Sequence, residues 1–153
     1  MIYFDNAATT GHKPQSVVNA VNYALKNLSA NPGRSGHLLS QRAAMSVYDT
    51  RNKISQFFGS EGPENVVFTL NCTQSINFVL KGVLGVWDHV VISDLEHNAV
   101  MRPINAMGVD YSFASVSLTD DEETFQNFKN AVKSNTKMIF CTAASNVLGK
   151  TLP

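Results

Sequence analysis

Cysteine is scarce in this chain. Cys72 and Cys141 are the only two, too few for a disulfide framework or a zinc site. No stretch approaches the roughly 18 consecutive apolar residues needed to span a bilayer. The start, Met1-Ile2-Tyr3-Phe4-Asp5, lacks the basic and apolar pattern of a signal peptide, so the expected location is the cytoplasm, with no membrane partner. Charge of one sign is also missing: 12 basic residues balance 12 acidic ones. That balance disfavours nucleic acid and anionic membranes as partners. Repeats and low-complexity linkers are absent. There is no Gly-x-Gly-x-x-Gly fingerprint and no complete phosphate-loop motif, which disfavours a nucleotide-binding or flavodoxin-like module. What remains is 153 residues, 44% hydrophobic and 16% charged, the composition and size of a soluble globular domain able to bury a core.

Residues 1–13 are expected to be irregular, because Asp5-Asn6-Ala7-Ala8-Thr9-Thr10 is too small and polar for a regular element. A helix is predicted after Pro14, with Val17, Val21, Leu25 and Leu28 on one stripe. Glycine and proline punctuate 29–36 as a loop. A long helix over 38–58 should turn Leu39, Ala43, Val47, Ile54 and Phe58 inward and stop at Gly59. Residues 66–69 predict a buried strand, then a turn at Asn71, Cys72 and Thr73, then a helix bearing Ile76, Val79, Leu80 and Val83. Strands are also predicted over 89–93, 110–116 and 137–142. Between them come a helix over 99–107 and one opened by a capping box at Thr119 and Glu122, packing Phe125, Phe128 and Val132. Strands alternating with helices predict an α/β fold, a mostly parallel sheet in a three-layer α/β/α arrangement.

In such sheets ligands sit beyond the carboxyl ends of the strands. Cys72 and Thr73, then Glu96-His97-Asn98, then Ser145-Asn146 each follow a predicted strand. A strand feeding straight into a helix leaves N–H groups unpaired at the positive end of the helix dipole, a natural anion site, and Thr73 adds a hydroxyl. Each residue also has a plainer role open to it: Thr73 as a helix cap, His97 as a surface residue at a helix start, Asn146 as a turn former. No metal site is indicated.

Five motifs carry a family resemblance. They are Phe4-Asp5-Asn6-Ala7-Ala8-Thr9-Thr10, Asn31-Pro32-Gly33-Arg34-Ser35-Gly36-His37, Phe68-Thr69 through Thr73 with Asn77, Glu96-His97-Asn98-Ala99-Val100, and Ser145-Asn146-Val147-Leu148-Gly149. In order and spacing they resemble class V aminotransferases, fold type I enzymes that use pyridoxal 5′-phosphate (PLP), and within them cysteine desulfurases and selenocysteine lyases. The resemblance implies that Cys72 (backbone) and Thr73 (backbone and hydroxyl) hold the cofactor phosphate. His97 would stack on the pyridine ring and serve as the catalytic proton shuttle, and Asn146 would donate to the ring's phenolic oxygen. Ala7, Ala8 and Arg34 would lie on the substrate side. It further implies an amino-acid substrate, a homodimer and a protein that accepts sulfur. Two positions depart from the pattern. Gln74 stands where the family often has Glu, and Cys72 stands where Gly, Thr or Ala is common. Cys72 is taken as a backbone contact, with room for thiol reactivity at a helix start.

The same resemblance places the pyridinium-pairing Asp, the Schiff-base lysine, the carboxylate-binding Arg and the sulfur-accepting cysteine later than Pro153. Lys150 does not sit in the family's lysine motif. Residues 1–13 are then an N-terminal active-site segment and 14–153 an incomplete PLP-binding large domain. The expectation is an N-terminal portion, inactive alone, with weak affinity for the cofactor phosphate. Other class V aminotransferase or lyase chemistry fits this portion equally. In the family, strands from later sequence separate the first strand from the other three. The 66–69 strand should therefore be left with unpaired edges, covered by self-association or rearranged.

Overall fold

The computed structural model describes residues 2–34 and 36–153; Ser35 of the second motif lies outside them. Two compact units divide the chain, Met1–Phe68 and Thr69–Pro153.

The first unit holds α1 (Gln15–Asn27), α2 (Leu38–Phe58) and a short 3-10 turn, Pro63–Asn65. Its N-terminal segment closes into a turn in which the Ala8 N–H donates to the Asp5 carbonyl and the Tyr3 hydroxyl to that of Thr9. α2 starts where the His37 imidazole accepts from the Ser40 N–H and ends on Gly59 at φ 67°, a left-handed cap that glycine adopts without a Cβ clash. The predicted apolar stripes are only partly covered. Ala43 is buried, but Val17, Val21, Leu25, Leu39 and Phe58 are exposed and α1 buries nothing. Helical periodicity marks which side chains share a face, and says nothing of what packs on it.

The second unit runs α3 (Cys72–Val83), β1 (His89–Ser93), α4 (Asn98–Met107), β2 (Asp110–Ala114), α5 (Asp121–Ala131) and β3 (Thr136–Phe140). The three strands form a parallel sheet in the order β2-β1-β3. β1 is central and buried along its whole length, which is why it reads as a continuous apolar run. Its Val90 and Ile92 pack with Leu80 and Leu84 of the α3 region and with Val100 and Ile104 of α4, while α5 lies against β1 and β2. Burying each large aliphatic side chain contributes about 1.5–3 kcal/mol.

Four predictions need correction. Residues 66–69 are extended but belong to no strand, and Val67 and Phe68 are exposed. A strand exists only where a neighbour takes up its N–H and C=O groups, and β1, β2 and β3 pair only with one another. The cap of α5 is Asp120, whose carboxylate accepts from the Glu122 and Glu123 N–H groups at 2.9 and 3.1 Å. A charged acceptor one residue closer to the helix displaces Thr119 from that role. The buried side chain of α5 is Thr124, whereas Phe125 and Val132 are exposed and the helix stops at Ala131. β2 and β3 also end two residues short of the predicted limits, at Ala114 and Phe140.

Candidate functional site

The start of α3 is built by a reciprocal cap. The Asn71 side chain accepts from the Gln74 N–H at 2.9 Å, and the Gln74 carboxamide oxygen accepts from the Leu70 N–H at 2.7 Å. Thr73 is therefore not the cap but the second helical residue. This exchange also accounts for Gln74, whose amide does the work a carboxylate would do there. With Asn71 serving Gln74, the N–H groups of Cys72 and Thr73 have no partner among the described residues. They point out of the positive end of a twelve-residue helix.

α4 starts in a related way. The His97 Nδ1 accepts from the Ala99 N–H at 3.0 Å, which fixes the proton on Nε2 and leaves the ring exposed. Its loop is fastened on both sides. Asp94 accepts from the Val116 N–H at 3.0 Å beyond β2, and Glu96 accepts from Thr142 beyond β3.

Between α3 and α4 lies a cleft of about 430 Å3. Thr73, Asn77 and Lys81 line it from one helix, one turn apart, and His97, Asn98 and Arg102 from the other. Among the described residues no acidic one lines it. Its donors are hydroxyl, amide and cationic groups beside two helix starts, a set suited to an anion. Lys81 and Arg102 carry no sequence signal of their own, but their spacing from Thr73 and His97 on amphipathic helices places them there.

The remaining residues singled out in the sequence stand elsewhere. Cys72 and Asn146 do not line the cleft. Asn146 sits exposed in a turn closed by Ser145, whose carbonyl accepts from the Gly149 N–H at 2.8 Å, with Ala144 bridging to Thr151. Ala144 and Gly149-Lys150-Thr151 stand at a phosphate-loop spacing. Here, however, Ala144 and Thr151 pair in an isolated antiparallel bridge, and Lys150 is ion-paired to Asp121 at 2.6 Å. Partial burial, then the nearby Glu96 carboxylate, pushes the Cys141 thiol up, which lowers its thiolate fraction. Ala7, Ala8 and Arg34 are exposed residues of the first unit. Among the described residues no three His, Cys, Asp or Glu side chains gather as metal ligands would, and no helix is long and apolar enough to cross a membrane.

The family model for aminotransferase class-V matches residues 2–153. The chain belongs to that family. It is 33% identical to a cysteine desulfurase of Haloferax volcanii, over all of this chain and 38% of that protein. Among solved structures it resembles the Escherichia coli cysteine desulfurase CsdA (TM-score 0.75, 23% identity, 98% of this chain and 39% of that one). It also resembles a C-DES variant with glycine covalently linked to its PLP cofactor (TM-score 0.69, 20% identity, 91% of this chain and 36% of that one). This class V chain thus spans under two-fifths of each protein to which it is compared.

Proposed function

We propose that this chain carries the phosphate-holding and ring-holding part of a PLP site in a cysteine desulfurase-like enzyme, one that removes sulfur or selenium from cysteine or selenocysteine to leave alanine. The observation that carries it is that Thr73 and His97, from two separate class V motifs, line one cleft free of acidic groups. The residues fit the group: unpartnered N–H groups of Cys72 and Thr73 with the Thr73 hydroxyl suit a phosphate, and an exposed imidazole suits an aromatic ring. When bound, PLP supplies the electron sink for bond breaking at an amino acid.

The chain's own groups then divide the work. Cys72 and Thr73 hold the phosphate. His97 packs on the ring and passes a proton through Nε2, the nitrogen not committed to capping α4. Asn146 donates its amide to the ring's phenolic oxygen. Residues 1–13, with Ala7 and Ala8, and the loop at Arg34 serve the amino-acid substrate, and 14–153 form part of the large domain. The proposal includes a cytoplasmic homodimer and a protein acceptor for sulfur. Exposed apolar side chains such as Phe57, Phe58, Leu70 and Trp87 support self-association. None of the lysines is assigned as the covalent anchor, so the chain alone turns over no substrate.

The test is a PLP titration of the purified chain, with absorbance read before and after borohydride. Saturable binding competed by inorganic phosphate, with no reduced adduct, is expected. Absence of binding by either ligand would remove the phosphate site. A reduced adduct on a single lysine would overturn the claim that the anchor is not in these residues.

A further inference from the structure

Glu96 lies next to the cleft without lining it. Its Oε1 accepts from the Ser93 hydroxyl at 2.6 Å and from the Thr142 backbone N–H at 2.6 Å. Ser93 is the fully buried last residue of β1, and Thr142 lies just past the end of β3. One carboxylate oxygen thus joins the exits of two neighbouring parallel strands. β1 is the central strand of the order β2-β1-β3, and β3 is its neighbour on one side. The carboxyl ends of parallel strands are where α/β sheets take ligands. Glu96 ties these two strand ends with two charge-assisted hydrogen bonds, which are roughly twice as strong as neutral ones. Its other interactions do not compete: none of the ion pairs among the described residues involves Glu96, and Asp94 on the same loop is engaged by Val116. His97 follows it immediately. The 142–146 segment, which Thr142 opens and Asn146 closes, leads on from its other partner.

We propose that Glu96 is a positioning residue that holds the His97 loop and the 142–146 segment at a fixed separation, so that the two ring-binding residues act as one grip. This rests on the assignment of His97 and Asn146 to the cofactor ring. Phosphate alone engages only the α3 start, so the clamp should matter to PLP and not to inorganic phosphate.

The experiment compares the full chain with E96A, E96Q and S93A in three readouts: amide hydrogen exchange at Thr142, affinity for PLP and affinity for inorganic phosphate. E96A is expected to speed Thr142 exchange and to weaken PLP about tenfold, with phosphate affinity within about twofold. E96Q keeps an acceptor oxygen and should recover most of the loss. S93A removes one arm only and should fall between, which keeps the test decisive if E96A folds poorly. Equal weakening of both ligands would make Glu96 a general support of the fold and overturn the proposal, as would unchanged PLP affinity with unchanged exchange. If the wild-type chain binds neither ligand, the proposed function fails, and Thr142 exchange still decides the clamp: faster in E96A and restored in E96Q sustains it, unchanged ends it.

Discussion

Thr73 and His97 both belong to the proposed site, but only His97 also caps its helix, so the substitutions that test them differ. Thr73 is the second residue of α3 and its side chain is not needed for the cap, which Asn71 supplies. Thr73→Ala should weaken phosphate-competed PLP binding by a factor of about five to ten, as expected for one lost hydrogen bond to a charged group, with stability changed by less than about 0.5 kcal/mol. Titration and thermal melts check both. His97→Ala removes the ring and also the cap of α4, a stability loss of about 1 kcal/mol. His97→Asn should restore the cap and still lose the ring contact. Equal PLP affinity in the Asn variant and the wild type would count against stacking. Both residues were legible because they follow a predicted strand end. Asn71 was legible in principle, since Asn-x-x-Gln ahead of an apolar run is a helix-start signature, but the eye goes to the threonine beside it.

At the level of elements, helix ends carry more than their length suggests. Asn71→Ala breaks the reciprocal cap with Gln74 and should cost about 1 kcal/mol in denaturant unfolding. It should also weaken phosphate binding, because the N–H groups of Cys72 and Thr73 lose their fixed direction. α4 ends on Gly108 at φ 66°, so Gly108→Ala should destabilise by about 1 kcal/mol, the left-handed backbone being strained with a Cβ. β1 was readable from its apolar Val90-Val91-Ile92 run, because a strand buried on both faces needs no alternation. The 66–69 segment was not, although its composition is as strand-like. Propensity is local, whereas pairing depends on a neighbour that no local pattern supplies. The capping box read at Thr119 was one residue out of register, because the Asp120 carboxylate takes the Glu122 and Glu123 N–H groups.

For the molecule as a whole, the sharpest expectation concerns pH. His89 is fully buried at the entry of β1, its Nδ1 2.7 Å from the Thr136 hydroxyl and its Nε2 3.0 Å from the Ser112 hydroxyl. Burial first, then repulsion from Lys133, holds its pKa below the ordinary 6.5, with Asp110 pulling weakly the other way. A depressed folded-state value means the neutral ring is the folded form. Its contribution is complete above the unfolded value of 6.5 and is lost as pH falls through the folded one. Unfolding midpoints should therefore drop as pH falls below 6.5, and His89→Gln should flatten that slope. Asp88 and Asp110 are held below the usual 3.8 by Gly85 and Lys133 respectively. They act only in more acidic solution. The core was legible in the sequence around β1, while the exposed stripe of α1 was legible as apolar but not as uncovered.

His89 fastens the three strands where they enter the sheet, and Glu96 fastens two of them where they leave. The evenly spaced backbone bonds of parallel strands do not by themselves choose between one alignment and the next. A slide of one residue would carry Thr136 away from the imidazole at one end and Thr142 away from the carboxylate at the other. The two side chains are thus index pins, and a sheet of only five-residue strands keeps its alignment through polar contacts at its ends as well as through its apolar middle.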